Sequence, residues 1–222
     1  MTGRIARIRN SARSDAGLSL TELLVTIMLT AIVMTMIGSM FINVARVTSN
    51  SNSTSTKSSI AANMMDAVSK VIRTAANIPV AGSDVPNPAI VAGTSNTLTL
   101  YSYVDTNSNA PEPTKVAYRV DSNRNLIEDR WKGTTAGGYS TFASTATSRV
   151  LGGPVLTPTG SGALFTYIDS AGNIADTSTD FESVASIRVT IGMTNQLTTG
   201  SDPILLVNTV GMPNLKLARD DT

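Results

Sequence analysis

The feature that most constrains this chain is an apolar run near its start: from Leu23 to Val44 no residue carries a formal charge. At about 1.5 Å rise per residue, a helix of that length reaches roughly 33 Å, the thickness of a bilayer hydrocarbon core. One membrane crossing is the expectation. Arg4, Arg7, Arg9 and Arg13 precede the run with only Asp15 against them, and Arg46 is the first charge after it. That asymmetry predicts a cytoplasmic N-terminus, with the chain beyond about residue 48 outside. A single acid, Glu22, stands at the start of the run.

The 222 residues, 41% of them hydrophobic, suffice for one ordinary domain beside a membrane span. Seventeen basic and sixteen acidic residues leave a net charge of +1, so no global attraction to nucleic acid is expected. Cys and His are both absent. Their absence excludes disulfides, thiolate nucleophiles, imidazole bases and the Cys/His zinc sites. No nucleophile elbow, Walker A loop or dinucleotide fingerprint occurs in the sequence. An enzyme is not expected, and neither a cofactor nor a metal centre is called for.

Two stretches repeat the D-x-N-x-N start of a calcium loop: Asp105, Asn107, Asn109 and Asp121, Asn123, Asn125. Ala110 and Leu126 replace the sixth-position Gly, while Val116 and Lys132 replace the twelfth-position Glu. Ordinary turn chemistry accounts for both stretches.

Three interpretations compete for the N-terminus. A secretory signal fits the basic leader and the small residues at Ser49 and Ser51, but the apolar run exceeds the usual h-region. A plain signal anchor makes Ser19 a helix cap and Glu22, three residues on, the closing member of a capping box, where its charge favours the positive end of the helix dipole. The third rests on the stretch "GLSLTELLVTIMLTAIVM" from Gly17 onward, which resembles the prepilin signature of type IV pilins and type II secretion pseudopilins. That resemblance implies cleavage after Gly17 by a prepilin peptidase and N-methylation of Leu18. It also implies that Glu22, fifth in the mature chain, pairs with the terminal amine of a neighbouring subunit. Leu18 stands where Phe is frequent in the family, and the first proline in the chain is Pro79.

Beyond the span, "SNSNSTSTKSS" at 49–59 taken alone suggests a linker, because Ser, Thr and Asn compete for backbone hydrogen bonds. Residues 60–77 suggest a helix with Ile60, Met64, Val68, Val71 and Ala75 on one stripe, and Met64 and Met65 filling a core. From Pro79 the period changes to two. Strands are expected at 97–103, 115–120, 125–131, 163–168, 184–193 and 203–210. The second and third form a hairpin about the turn 121–125, with Val116, Tyr118 and Val120 on one face. Trp131 is expected in the core. These elements predict an α+β fold, a long helix packed on an antiparallel sheet.

The segments "KVAYRVDSNRNLIEDRW", "LFTYIDSAGN" and "DPILLVNTVGMPNL" are similar to the C-terminal halves of PilW-type and PulJ-type minor pilins. The joint resemblance implies the pilin fold: leader 1–17, transmembrane and assembly helix 18–47, helix continuation 48–78 and β-rich head 79–222. It further implies a minor structural subunit of a pilus or pseudopilus, acting in a priming or tip complex. Its partners would be other pilins or pseudopilins, the prepilin peptidase, the assembly platform protein and the assembly ATPase. The alternative is a membrane-tethered extracellular binding module that does not assemble.

Overall fold

The computed structural model describes residues 19–83, 87–104, 111–156, 163–177, 181–193 and 203–215. They fall into two compact units divided between Ser49 and Asn50. Helix α1, Leu20–Arg73, contributes to both. The polar stretch 49–59 is helical throughout. Two of its hydroxyls are satisfied on the helix itself: Thr56 Oγ1 donates to the Asn52 carbonyl at 2.9 Å and Ser59 Oγ to that of Ser55 at 3.0 Å.

In the second unit α1 buries Ala61, Met64, Met65, Val68, Val71 and Ile72, so both methionines are core residues as expected. Lys70 and Arg73 in the last turn oppose the negative end of the helix dipole. The helix ends by handing its chain to a strand: the Ala76 N–H donates to the Tyr101 carbonyl at 3.1 Å.

Nine strands follow among the described residues. They are β1 Ile90–Gly93, β2 Leu98–Ser102, β3 Thr114–Val120, β4 Leu126–Ala136, β5 Tyr139–Phe142, β6 Thr147–Gly152, β7 Phe165–Asp169, β8 Val184–Met193 and β9 Ile204–Gly211. They form two antiparallel sheets, one ordered β1-β2-β3-β4-β5 with β6 also on β4, and one ordered β7-β8-β9. All six expected strands occur. β1, β5 and β6 were not foreseen, because they are short and β6 is largely exposed, so none shows an apolar alternation. The single expected sheet is two.

Leu98, Leu100, Val116, Tyr118 and Leu126 from the larger sheet share one core with Phe165, Ile187, Val189 and Ile191 from the smaller, together with the buried stripe of α1. Close approach to α1 is made possible at Gly152, where a Cβ would stand 2.7 Å from Ile60 Cγ2 and 3.0 Å from Met64 Sδ. Trp131 is a correction. It is half-buried, and Lys115, its cross-strand partner, places Nζ 5.2 Å from the ring centroid. Strand alternation explains this, since Trp131 is out of phase with Leu126 and Glu128 on the core-facing side of β4.

One turn device occurs twice. The Asp121 N–H donates to the Asn125 carbonyl at 3.0 Å, and Asp121 Oδ1 accepts the Asn125 N–H at 2.7 Å. Likewise the Asp169 N–H donates to the Asn173 carbonyl at 3.0 Å, and Asp169 Oδ1 accepts the Asn173 N–H at 2.8 Å. Asn125 Nδ2 also reaches Asp121 Oδ2, so both carboxylate oxygens serve the turn. The bond from the Asn125 N–H holds the Asp121 carboxyl below its ordinary range. Asp105, Asn107 and Asn109 lie outside the described residues.

The fourth position of each turn is left-handed, occupied by Gly172 at φ 89° in one and by Arg124 at φ 63° in the other. A non-glycine residue pays about 1 kcal/mol there. Arg124→Gly is therefore expected to stabilise the protein by about 0.5–1 kcal/mol, raising Tm by roughly 2 °C. Thermal unfolding of the full chain in detergent micelles checks this, and a lower Tm would contradict it.

Candidate functional site

Glu22 lies in the first turn of α1. Ser19 caps that turn: its Oγ accepts the Glu22 N–H at 3.2 Å, and its carbonyl accepts the Leu23 N–H at 3.1 Å. This is half of a capping box. Among the described residues the Glu22 carboxylate takes no hydrogen bond and no ion pair, so the reciprocal half is missing. Gly17 and Leu18 lie outside the described residues.

The helix below Glu22 is apolar on every side. Leu24, Ile27, Met28, Met34, Met36, Met40 and Phe41 are all more than three-fifths exposed, and no residue from Ser19 to Ser49 is buried. Apolar residues on all faces leave no preferred solvated stripe. Polar side chains in this stretch are largely silenced on the helix. Thr30 Oγ1 donates to the Thr26 carbonyl and Thr35 Oγ1 to that of Ala31, each at 2.7 Å, while Ser39 Oγ donates to the Met36 carbonyl at 2.8 Å. Thr26 Oγ1 donates to the Glu22 carbonyl in the same manner. Hydroxyls satisfied in this way tolerate an apolar surround, whereas an ionised carboxylate does not. Glu22 is left as the one charge in α1 before Arg46.

Among the described residues this is the one helix long and apolar enough to cross a membrane. An unpaired carboxylate at the head of such a span can remain near the headgroups, where water reaches it, or meet a cation within an apolar assembly.

A second charged cluster lies in the β-rich unit and was not anticipated. Glu128 on β4 is fully buried, and its carboxylate accepts bonds from Tyr118 Oη at 3.0 Å, Arg130 Nε at 2.5 Å and Arg149 Nε at 2.7 Å. Burial pushes its carboxyl up, but the bonds and charges of Arg149 and Arg130 outweigh this and hold it below the ordinary range. Asp129, on the alternate face, pairs with Arg119 at 2.7 Å and accepts a bond from Ser148. The sequence did carry a signal for Glu128, because the expected hairpin sets it opposite Tyr118, on the face assigned to Val116, Tyr118 and Val120. These groups satisfy one another, which is the pattern of a structural network.

No protein-family model matches this chain, and no curated protein matches it significantly.

Proposed function

We propose that this chain is a pilin-like structural subunit, anchored by α1 and assembled through it into a filament of the pilus or pseudopilus kind. The observation that carries this reading is Glu22: a carboxylate without a partner among the described residues, heading a helix whose hydroxyls bond to its own carbonyls and whose surface is apolar all round. An ionised carboxylate inside an apolar bundle costs several kcal/mol unless a cation pairs with it. Cleavage after Gly17 would create that cation, the α-amino group of Leu18, on each neighbouring copy. The α+β head, a helix packed on antiparallel sheets, agrees with a pilin-like arrangement. The prepilin peptidase, platform protein, assembly ATPase and other pilins are the partners this reading requires.

Intact mass and N-terminal sequencing of the protein from membranes test it. The expected result is a chain beginning at Leu18 with one added methyl group. A chain still carrying its leader, from cells that process other prepilins, would overturn the assembly reading in favour of a tethered binding module.

A further inference from the structure

Strand β9 forms one edge of the smaller sheet, and its register with β8 fixes which of its backbone groups have no strand partner among the described residues. The pairing continues past the strand end in the bond from the Met212 N–H to the Ala185 carbonyl. By alternation, Ile204, Leu206, Asn208 and Val210 turn their amides and carbonyls to β8, while Leu205, Val207 and Thr209 turn theirs to the open edge. The open-edge residues are also the exposed ones, Leu205 at 48% and Val207 at 54%. From Ile204 to Gly211 there is neither a charge nor a proline. Lysines, prolines and bulges are the usual devices that keep an edge from recruiting another strand, and β9 carries none in its regular ladder.

Beside β9 runs a groove of about 480 Å³ against α1. Met65, Ser69 and Leu206 line it, with Asp66, Lys70 and Arg73 along the helix side. Asn208 Nδ2 donates to Ser69 Oγ at 3.2 Å and ties the strand to the helix. Residues 62, 66, 70 and 73 recur at helical spacing, so the groove follows the helix for about three turns, or roughly 16 Å. An added strand would lie about 4.8 Å from β9 and over this stripe. Neither Lys70 nor Arg73 forms an ion pair among the described residues.

We propose that the open edge of β9 and its groove dock an extended segment of a different polypeptide, apolar at alternate positions and carrying a carboxylate that meets Lys70 and Arg73. The backbone of Leu205, Val207 and Thr209 supplies the ladder that holds such a segment. The small and apolar groove residues accept its inward side chains, and the guanidinium of Arg73 suits a carboxylate in bidentate geometry. A second copy of β9 would satisfy the edge but not the cations, because β9 has no acid. Lipid is a poor occupant for an open row of amides and carbonyls.

The test places a benzophenone photocrosslinker at Val207 of the full chain in the cells that make it, and maps adducts by peptide mass spectrometry. The expected result is an adduct within an acid-containing, alternating apolar segment of another polypeptide. Its yield should fall at least fivefold in Lys70→Gln/Arg73→Gln, a neutral pair whose melting temperature confirms folding. No adduct, an adduct to β9 of a second copy, an adduct to lipid, or a yield indifferent to the double substitution would each overturn the proposal. The mass of the N-terminus in the same cells reports separately on filament processing, so either idea can fail alone.

Discussion

The double substitution Arg130→Met/Arg149→Met is expected to destabilise the protein by about 3–5 kcal/mol at pH 7, the cost of leaving a buried carboxylate without its cations. Glu128→Gln removes the same ion pairs and should cost only about 1–2 kcal/mol. The asymmetry follows from exposure. Glu128 is fully buried, whereas the side chains of Arg130 and Arg149 are 33% and 53% exposed and can turn to water once released. The two forms should also differ in the sign of their pH response. In the native protein the Glu128 carboxyl lies below its ordinary 4.5, so its contribution is fully present above that value and is lost as pH falls through the depressed one. In the double variant only burial and the Tyr118 bond act on Glu128, and burial raises its pKa. Its penalty is then smallest below 4.5 and grows as pH rises through the raised value. Chemical unfolding at pH 4 and pH 7 checks this: acid should weaken the native protein and strengthen the variant relative to it. Equal losses for the two substitutions at pH 7 would show that the cluster is not a buried charge held by its cations.

Periodicity made legible the parts of the fold whose side chains alternate between core and solvent. The stripe Met64, Val68, Val71 and Ala75, the hairpin with Val116 and Tyr118 on its buried face, and the runs in β8 and β9 were readable because burial imposes period 3.6 on a helix and period 2 on a strand. β5 and β6 were not, because their pairing to β4 is a matter of backbone hydrogen bonds across mostly exposed side chains. Trp131 was misplaced for a related reason: residue type favoured the core, but its phase in β4 decided otherwise. The left-handed residue at Arg124 is masked by its side chain, whereas its counterpart Gly172 is of the residue type suited to that conformation. At the candidate site, Glu22 was evident from charge alone, being one acid before an uncharged span. The groove beside β9 was not, since Lys70 and Leu206 are far apart in sequence and only the fold brings them to one place.

Glu22→Ala is expected to reduce incorporation into filaments at least tenfold while leaving the amount in the membrane unchanged, and the contrast between these readouts isolates assembly from insertion. Insertion should not suffer, because a charged residue always opposes burial in lipid and alanine removes that opposition. Nor should the first turn unravel, since the bond that caps it runs from the Glu22 N–H to Ser19 Oγ and involves no Glu22 side-chain atom. What the substitution removes is the one charge at the head of the apolar stretch, a group that can tell one axial position of a neighbouring helix from another. The surface from Leu23 to Val44 is apolar on all sides, so packing alone offers many near-equivalent registers. A loss of only about 1.4 kcal/mol of register-specific pairing gives the tenfold effect at equilibrium. Glu22→Asp, which keeps the charge but shortens its reach by a methylene, should fall between the two. Quantifying membrane-bound and filament-bound protein in cells expressing each variant provides the measurement. Normal filament levels for Glu22→Ala would mean that the carboxylate serves the membrane anchor alone, and the case for assembly would then have to rest on the processed N-terminus.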